Sequence, residues 1–458
     1  MNSMDIKERL DACFKAYDVR GRVPEILDDA LAYRIGRAYA QYLGAREVVV
    51  GGDIRDSSES LKKALSLGLI DAGCKVIDIG LCGTEEIYFA TFHLGLDGGV
   101  MITASHNPLG WNGVKLVREE ARPISGDEGL DEIKALAAGI QVGDLEREPD
   151  VRKLDNRPAF VEHLLGYVDR DRLRALKIVA NPGNGGAGLV VEALAPHLPF
   201  TFEKVHFAPD GTFPNGVPNP LLPENREATA RAVRESGADF GIAWDGDFDR
   251  CFFFDEQGNF LEGYYLVGLL GAQMLRKHPG AAVVYEPRLT WNTVDMVTEA
   301  GGKPVLSKTG HAFLKASLRA CDATYGGEMS AHHYFRDFNY CDSGMIPWLL
   351  IAERLSESGV SLSSLVRERI AAFPCSGEIN RTVNDADAVI AAIEKRYADA
   401  ALSVDYTDGI SMEFAQWRFN LRKSNTEPVI RLNVESRGDA ALTQRKTDEL
   451  LGFIGGKG

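Results

Sequence analysis

Three aspartates spaced by two residues, Asp245, Asp247 and Asp249, stand in the stretch ADFGIAWDGDFDRCFFF between two apolar runs. Gathering three carboxylates on one loop built around Gly246 is unfavourable unless a cation neutralises them, and hard oxygen ligands of this kind suit Mg2+. An EF-hand does not explain the pattern. Glu256 falls at the twelfth position of such a loop, but Arg250 stands where its sharp turn needs glycine, and Cys251 to Phe254 read as a strand. A solvated acidic turn is the other ordinary explanation.

Five further clusters carry candidate chemistry. TASHNP, residues 103–108, ends an apolar run and offers Ser105 as a nucleophile or phosphate carrier, with His106 and the nearby Lys115 close to the reacting oxygen. Neighbouring residues rarely point at each other, so the Ser-His adjacency does not by itself make a triad, and no G-x-S-x-G elbow is present. NLRKSNTEPVIR places Arg422, Ser424, Asn425, Thr426 and Arg431 around one turn, a set of guanidinium, hydroxyl and amide groups suited to clamping phosphate. YGGEMSAHHYF supplies Glu328, Ser330 and His332, whose alternating acceptors and donors suit sugar hydroxyls. KTGH, with Lys308, Gly310 and His311, and KAYDVRGR, with Tyr17, Arg20 and Arg22, carry weaker signals of the same kind, and His311 fits a core or surface position equally well. NPGNGGAG lacks both the P-loop ending and the dinucleotide glycine spacing, so it reads as the start of a helix.

The elements that must hold these residues repeat along the chain. EVVVGGDIRDSSESLKKALSLGLIDAGCKVIDIG, LKIVANPGNGGAGLVVEALAPHL and AAVVYEPRLTWNTVDMVTEAGGKPVL each read as a short apolar strand, a polar turn, an amphipathic helix and a second strand. Such units imply parallel or mixed sheets covered by helices. In the first, Asp56 and Glu59 are expected to cap a helix whose apolar face includes Leu61, Leu65 and Leu69, with Gly73 ending it. The charged LEREPDVRKLDNR reads as a linker, EQGN after Asp255 as a turn, and the sequence after Phe373 as a helix followed by strands around a polar turn. The expected fold is α/β, with three tandem related domains and mixed sheets over residues 1–153, 154–256 and 257–371, followed by an α+β domain over 372–458.

A chain of 458 residues is too long for one core, and a hydrophobic share of 45% with 26% charged residues is that of an ordinary globular protein. Its net charge of -15 disfavours nucleic acid and anionic membranes as partners, so any anionic ligand requires a local Arg and Lys cluster. Seven scattered cysteines without a C-x-x-C pair fit reduced thiols, and no apolar run reaches the length of a membrane span, so a cytoplasmic protein is expected.

Together, TASHNP, DGDFDR, GEMS and RKSNTEP occur in an order and at separations that resemble the α-D-phosphohexomutase family, over nearly the whole chain from Lys15 to Ser436. Within it the chain is most similar to the bacterial phosphomannomutase and dual phosphomannomutase/phosphoglucomutase branch. The resemblance implies four domains around a central cleft, and a monomer or weak dimer is expected. It implies that Ser105 carries a phosphoryl group and that Asp245, Asp247 and Asp249 bind Mg2+ together with it, with Arg250 alongside. Lys115, Arg20 and His106 are then candidates for proton transfer. Glu328 and Ser330 would contact sugar hydroxyls, and Arg422, Ser424, Asn425 and Thr426 would hold the non-reacting phosphate. Tyr17, Arg288, Lys308, Gly310, His311, His332 and Arg431 complete the expected substrate contacts.

The implied reaction interconverts mannose 6-phosphate and mannose 1-phosphate, and also the glucose phosphates, through a hexose 1,6-bisphosphate that serves as intermediate and activator. It belongs to GDP-mannose and exopolysaccharide synthesis. A mainly glucose-directed mutase, an Mg-dependent sugar phosphatase and a silent sugar-phosphate binder are the alternatives. Two departures stand out: HNPLGWNG lacks the acidic residue and tyrosine of close relatives, and Ala331 stands where many dual-specificity enzymes carry glycine.

Overall fold

The computed structural model describes residues 4–423 and 429–455, the side chain of Asp127 excepted. The chain forms two compact units, one from residues 1–260 with 341–357 and the other from residues 261–340 with 358–458. Each unit holds two of the main sheets.

The three expected repeats fold alike. In the first, strand Glu47–Gly52, helix Ser58–Asp71 and strand Lys75–Leu81 form a parallel unit. The second is Lys177–Asn181, Ala187–Leu194 and Thr201–Lys204, and the third Ala282–Tyr285, Trp291–Glu299 and Lys303–Leu306, with parallel pairing in both. On the other side of each leading strand lies another parallel strand: Gly98–Ile102, Phe240–Trp244 and Tyr325–Gly327 respectively. Each of these then turns back into an antiparallel neighbour, Trp111–Arg118, Cys251–Phe254 or His333–Phe335. The sheets are therefore mixed. The leading strands are apolar and buried, as strands covered on both faces must be.

TASHNP, DGDFDR and EMSAHH occupy the same joint in the three repeats, the connection between the last parallel strand and its antiparallel neighbour. That joint lies at the carboxyl end of the parallel strand, where open α/β sheets place binding groups.

Residues 378–455 build an antiparallel sheet in the order Ile379–Thr382, Val429–Ser436, Trp417–Lys423, Ile410–Glu413 and Ser403–Asp405. Helices Ala386–Tyr397 and Ala440–Gly455 accompany it, and Ile393, Phe419, Leu432 and Leu450 are among its core residues. Among the described residues no helix is long and apolar enough to cross a membrane, and all seven cysteines are free thiols.

Two local expectations are corrected. The segment read as a linker contributes a strand, Val151–Lys153, which pairs in parallel with Lys75–Leu81. Its charged residues are tolerated because it is the edge of the sheet, where Arg152 and Lys153 reach water. Asp56 and Glu59 do not cap the helix. It begins after Ser57, which makes no side-chain cap bond, and Glu59 instead pairs with Lys62 at 2.9 Å. Gly73 does follow the helix with φ +95°, a conformation that favours glycine.

The helices Asp29–Leu43 and Ser58–Asp71 pack at close range. A Cβ on Gly68 would stand 2.1 Å from the Tyr33 carbonyl oxygen, and one on Gly36 would stand 2.3 Å from that of Leu65. Both obstacles are backbone and cannot swing aside. Gly68→Ala is expected to cost about 1–3 kcal/mol and lower the urea midpoint, whereas Gly139→Ala, with no atom within 4 Å of the new methyl group, leaves it unchanged or slightly higher. Equal midpoints for the two variants would show that this helix crossing does not depend on glycine.

Candidate active site

In the first unit, the serine loop and the aspartate loop meet through a missing side chain. A Cβ on Gly246 would lie 2.4 Å from the Ser105 carbonyl oxygen, so only glycine lets the two backbones approach this closely. Ser105 is 3% exposed, and its Oγ donates to Asp245 Oδ2 at 2.8 Å. Phe248 holds the aspartate loop in place. It adopts φ +47°, and its buried ring lies where a Cβ on Gly83 would be, 2.2 Å away. Burial of that ring offsets the strain of a left-handed residue.

Although consecutive in the chain, Ser105 and His106 do meet: Ser105 Oγ lies 3.1 Å from His106 Nδ1. The physical reason is the left-handed backbone at Ser105, φ +50°, which turns its side chain back toward its neighbour. Arg250 Nη2 also donates to His106 Nδ1 at 2.5 Å, so this nitrogen is an acceptor and the ring is neutral. Burial and the adjacent Arg250 guanidinium push the His106 pKa down to about 2.

Cations answer the carboxylates. Lys115 Nζ donates to Asp247 Oδ2 at 2.6 Å and to Asp249 Oδ2 at 2.7 Å, and Arg250 donates to Asp245 Oδ2 through Nε and Nη2 at 2.9 and 2.6 Å. Burial favours neutral Lys115, but Asp247 and Asp249 outweigh it and hold the ammonium charged. Burial likewise works against the Asp247 carboxylate, and Lys115 reverses this, lowering its pKa below the ordinary value. Thr84 Oγ1 donates to Asp247 Oδ2 at 2.6 Å. Arg20 reaches the serine loop through Asn107 Oδ1 and pairs with Asp18 at 2.8 Å.

The three aspartates each offer an oxygen within 4.8 Å of the others, and Asp247 Oδ1 is buried without a hydrogen-bond partner. A hard divalent cation fits this donor set, because it would satisfy that oxygen and the net negative charge together.

Two residues that the motifs did not bring forward anchor the serine loop. Arg55 Nη2 donates to the carbonyls of Ser105 and Asn107, both at 2.7 Å, and Nη1 donates to those of Pro108 and Trp111 at 3.2 and 3.1 Å. Asp53 accepts from Thr103 Oγ1 at 2.6 Å, and Thr103 Oγ1 in turn accepts from the Ser105 amide at 2.9 Å. Both side chains are buried and lie 3.4 Å apart. The only trace in sequence is the polar DIRD turn after a buried strand, which composition alone does not distinguish from other turns.

In the second unit, Glu328 follows strand Tyr325–Gly327 and accepts from Tyr334 OH at 2.5 Å. Arg288 Nη2 donates to Ser330 Oγ at 3.2 Å and stands 3.6 Å from Glu328, while its Nε donates to Glu286 Oε1 at 2.7 Å. Ala331 takes φ +72°, so the alanine at this departure carries strain that glycine would not. Arg422 and Arg431 face each other on neighbouring strands. Glu378, also unforeseen, contacts Arg288, Arg422 and Arg431.

Of the other expected contacts, Lys308 Nζ lies over the Phe313 ring at 4.7 Å, Gly310 with φ +122° precedes helix His311–Cys321, and the His332 ring stacks on Tyr334. Tyr17 is half-buried just before strand Val19–Arg22. Ser424, Asn425 and Thr426 lie outside the described residues.

Comparison with known proteins matches all four segments to one family. Residues 11–142, 158–258 and 262–373 match the phosphoglucomutase/phosphomannomutase alpha/beta/alpha domains I, II and III, and residues 378–451 match its C-terminal domain. A protein of Xanthomonas campestris pv. campestris named "Phosphohexose mutases" is 61% identical over 97% of this chain and 99% of its own length. The phosphomannomutase of Salmonella montevideo is 60% identical over 96% and 98%. Among solved structures, a phosphoglucomutase/phosphomannomutase family protein from Burkholderia thailandensis superposes with a TM-score of 0.85 at 32% identity, covering 96% of this chain and 97% of its own. With all four domain types present in order and relatives of this identity aligned along nearly its whole length, the chain belongs to the phosphoglucomutase/phosphomannomutase family of isomerases.

Proposed function

We propose that the protein interconverts mannose 6-phosphate and mannose 1-phosphate, and also the corresponding glucose phosphates, with Ser105 as phosphoryl carrier. The observation that carries this reading is the buried Ser105 hydroxyl, 2.8 Å from Asp245 and among Asp247, Asp249, Lys115 and Arg250. A hydroxyl so placed is poorly exposed to bulk water and surrounded by groups that match a phosphate's charge.

In the proposed cycle the phosphoryl group leaves Ser105 Oγ for the free hydroxyl of a hexose monophosphate, giving a hexose 1,6-bisphosphate. The intermediate turns and returns its other phosphoryl group to Ser105. Asp245, Asp247 and Asp249, with the oxygen of Ser105, would hold Mg2+, which supplies neutralisation of charge on the transferred group. Lys115 and Arg250 stabilise the same charge, and Arg55 with Asp53 fixes the loop so that the oxygen is aimed before substrate arrives. Of the candidates for proton transfer, His106 is held neutral with Nδ1 already accepting from Arg250, Lys115 is held charged by Asp247 and Asp249, and Arg20 is a charged neighbour of the loop, so none is singled out as the proton carrier. Arg288, Glu328 and Ser330 suit sugar hydroxyls, and Arg422 and Arg431 suit the non-reacting phosphate. Tyr17, Lys308, His311 and His332 complete the proposed contacts. The mannose 1-phosphate formed is a precursor for GDP-mannose and exopolysaccharide synthesis in the cytoplasm.

The protein, mixed with Mg2+, a trace of hexose 1,6-bisphosphate and each hexose 1-phosphate in turn, is expected to form both 6-phosphates, mannose 6-phosphate the faster. A faster glucose reaction would make it mainly a phosphoglucomutase, and release of inorganic phosphate faster than isomerisation would make it a phosphatase. Ser105→Ala is expected to abolish turnover and to remove a phosphate-sized mass adduct mapping to residue 105. Substantial retained activity would exclude the carrier role. Arg55→Lys keeps the charge but loses the fork that grips several carbonyls, so kcat is expected to fall about 10–100-fold with KM little changed. A change confined to KM would place Arg55 in substrate binding instead.

A further inference from the structure

Arg422 and Arg431 are register partners on the antiparallel strands Trp417–Lys423 and Val429–Ser436. Like charges directly opposite one another in a sheet repel, and an anion between them offsets that repulsion. Here the anion is internal. Glu378 Oε2 lies 3.3 Å from Arg422 Nη2 and Oε1 lies 3.4 Å from Arg431 Nη1. The same carboxylate meets a third guanidinium, Arg288, through Oε2 at 3.1 Å.

Glu378 immediately precedes the edge strand Ile379–Thr382, and its side chain is four-fifths buried. Burial alone would raise its pKa, but Arg288, Arg422 and Arg431 together outweigh this and hold it below the ordinary glutamate value. Three guanidinium groups from three segments thus converge on one carboxylate. Arg422 retains an unused donor as well: its side chain is 9% exposed, and its Nε has no hydrogen-bond partner.

We infer that Glu378 is a resident counter-anion, seated where the phosphate of a ligand is to be bound and yielding that seat on binding. The inference rests on the sugar-phosphate reading above and adds what regulates affinity at that site. A phosphate dianion carries twice the charge of a carboxylate and three oxygens for the same donors, so it wins the exchange. The tethered carboxylate opposes it at high effective concentration, which weakens net binding. A mutase gains from that opposition, because its bisphosphate must be released from the arginines and held again in the other orientation. Through Arg288 the carboxylate also reaches Ser330, so exchange at the phosphate position is felt beside the sugar-recognition residues.

The test compares the intact protein with Glu378→Gln, which keeps size and removes charge, using inorganic phosphate in a binding titration and the isomerisation assay. Glu378→Gln is expected to bind phosphate about tenfold more tightly, with a lower KM for hexose 1-phosphate, a lower kcat and less bisphosphate released per turnover. Glu378→Asp, which retracts the charge, is expected to shift the same quantities in the same direction and serves if the glutamine variant does not fold. Unchanged or weaker phosphate binding in a folded variant overturns the inference and leaves Glu378 an orienting group only. If the unaltered protein binds neither inorganic phosphate nor a hexose phosphate, and Arg422→Ala changes nothing, the sugar-phosphate reading itself fails and takes the inference with it.

Discussion

Charge that cannot be left uncompensated is the constraint on which both halves of this protein depend. In the first unit three buried aspartates are brought within reach of a serine hydroxyl, and Lys115 and Arg250 are bound to them directly. In the second unit the sign is reversed: arginines converge, and Glu378 and Glu286 answer them. Each cluster would be costly with its counter-charges removed, because burial penalises an unpaired ion by several kcal/mol. Each is also matched to what the proposed chemistry brings, a cation with a phosphoryl group in one case and an anionic ligand in the other.

The architecture meets this constraint with one repeated joint. Three related sheets each end a parallel strand in a loop that turns into an antiparallel neighbour, and these loops carry the serine, the aspartates and the Glu-Met-Ser segment. A loop at this joint is anchored at both ends by buried strands, so its side chains are held without the loop being long. The first two loops are pressed together at Gly246, and their left-handed residues Ser105 and Phe248 are held by Arg55 and by the buried Phe248 ring. Strain is concentrated where groups must be aimed, and packing nearby supports it.

Much of this was legible along the chain. The strand–helix–strand repeats stood out because apolar runs and helical periodicity are local properties, and the aspartate loop because its spacing between strands is local too. The edge strand at Val151–Lys153 was hidden by its charge, since an edge residue has no need of an apolar partner on its outer side. The start of helix Ser58–Asp71 is not legible in this way, because Asp56 and Glu59 have the right types for capping and only the backbone of Ser57 shows that they lie outside the geometry.

The sequence by itself determined the family, the mixed α/β domains and the set of side chains available for chemistry, because order, spacing and residue type are enough for these. The tertiary structure decided which of them touch. Ser105 turns onto His106 because its backbone is left-handed, Arg55 grips a loop about 50 residues away, and Glu378 sits between arginines from separate segments. Such contacts arise from where strands end and how closely backbones approach, and no periodicity along the chain records either.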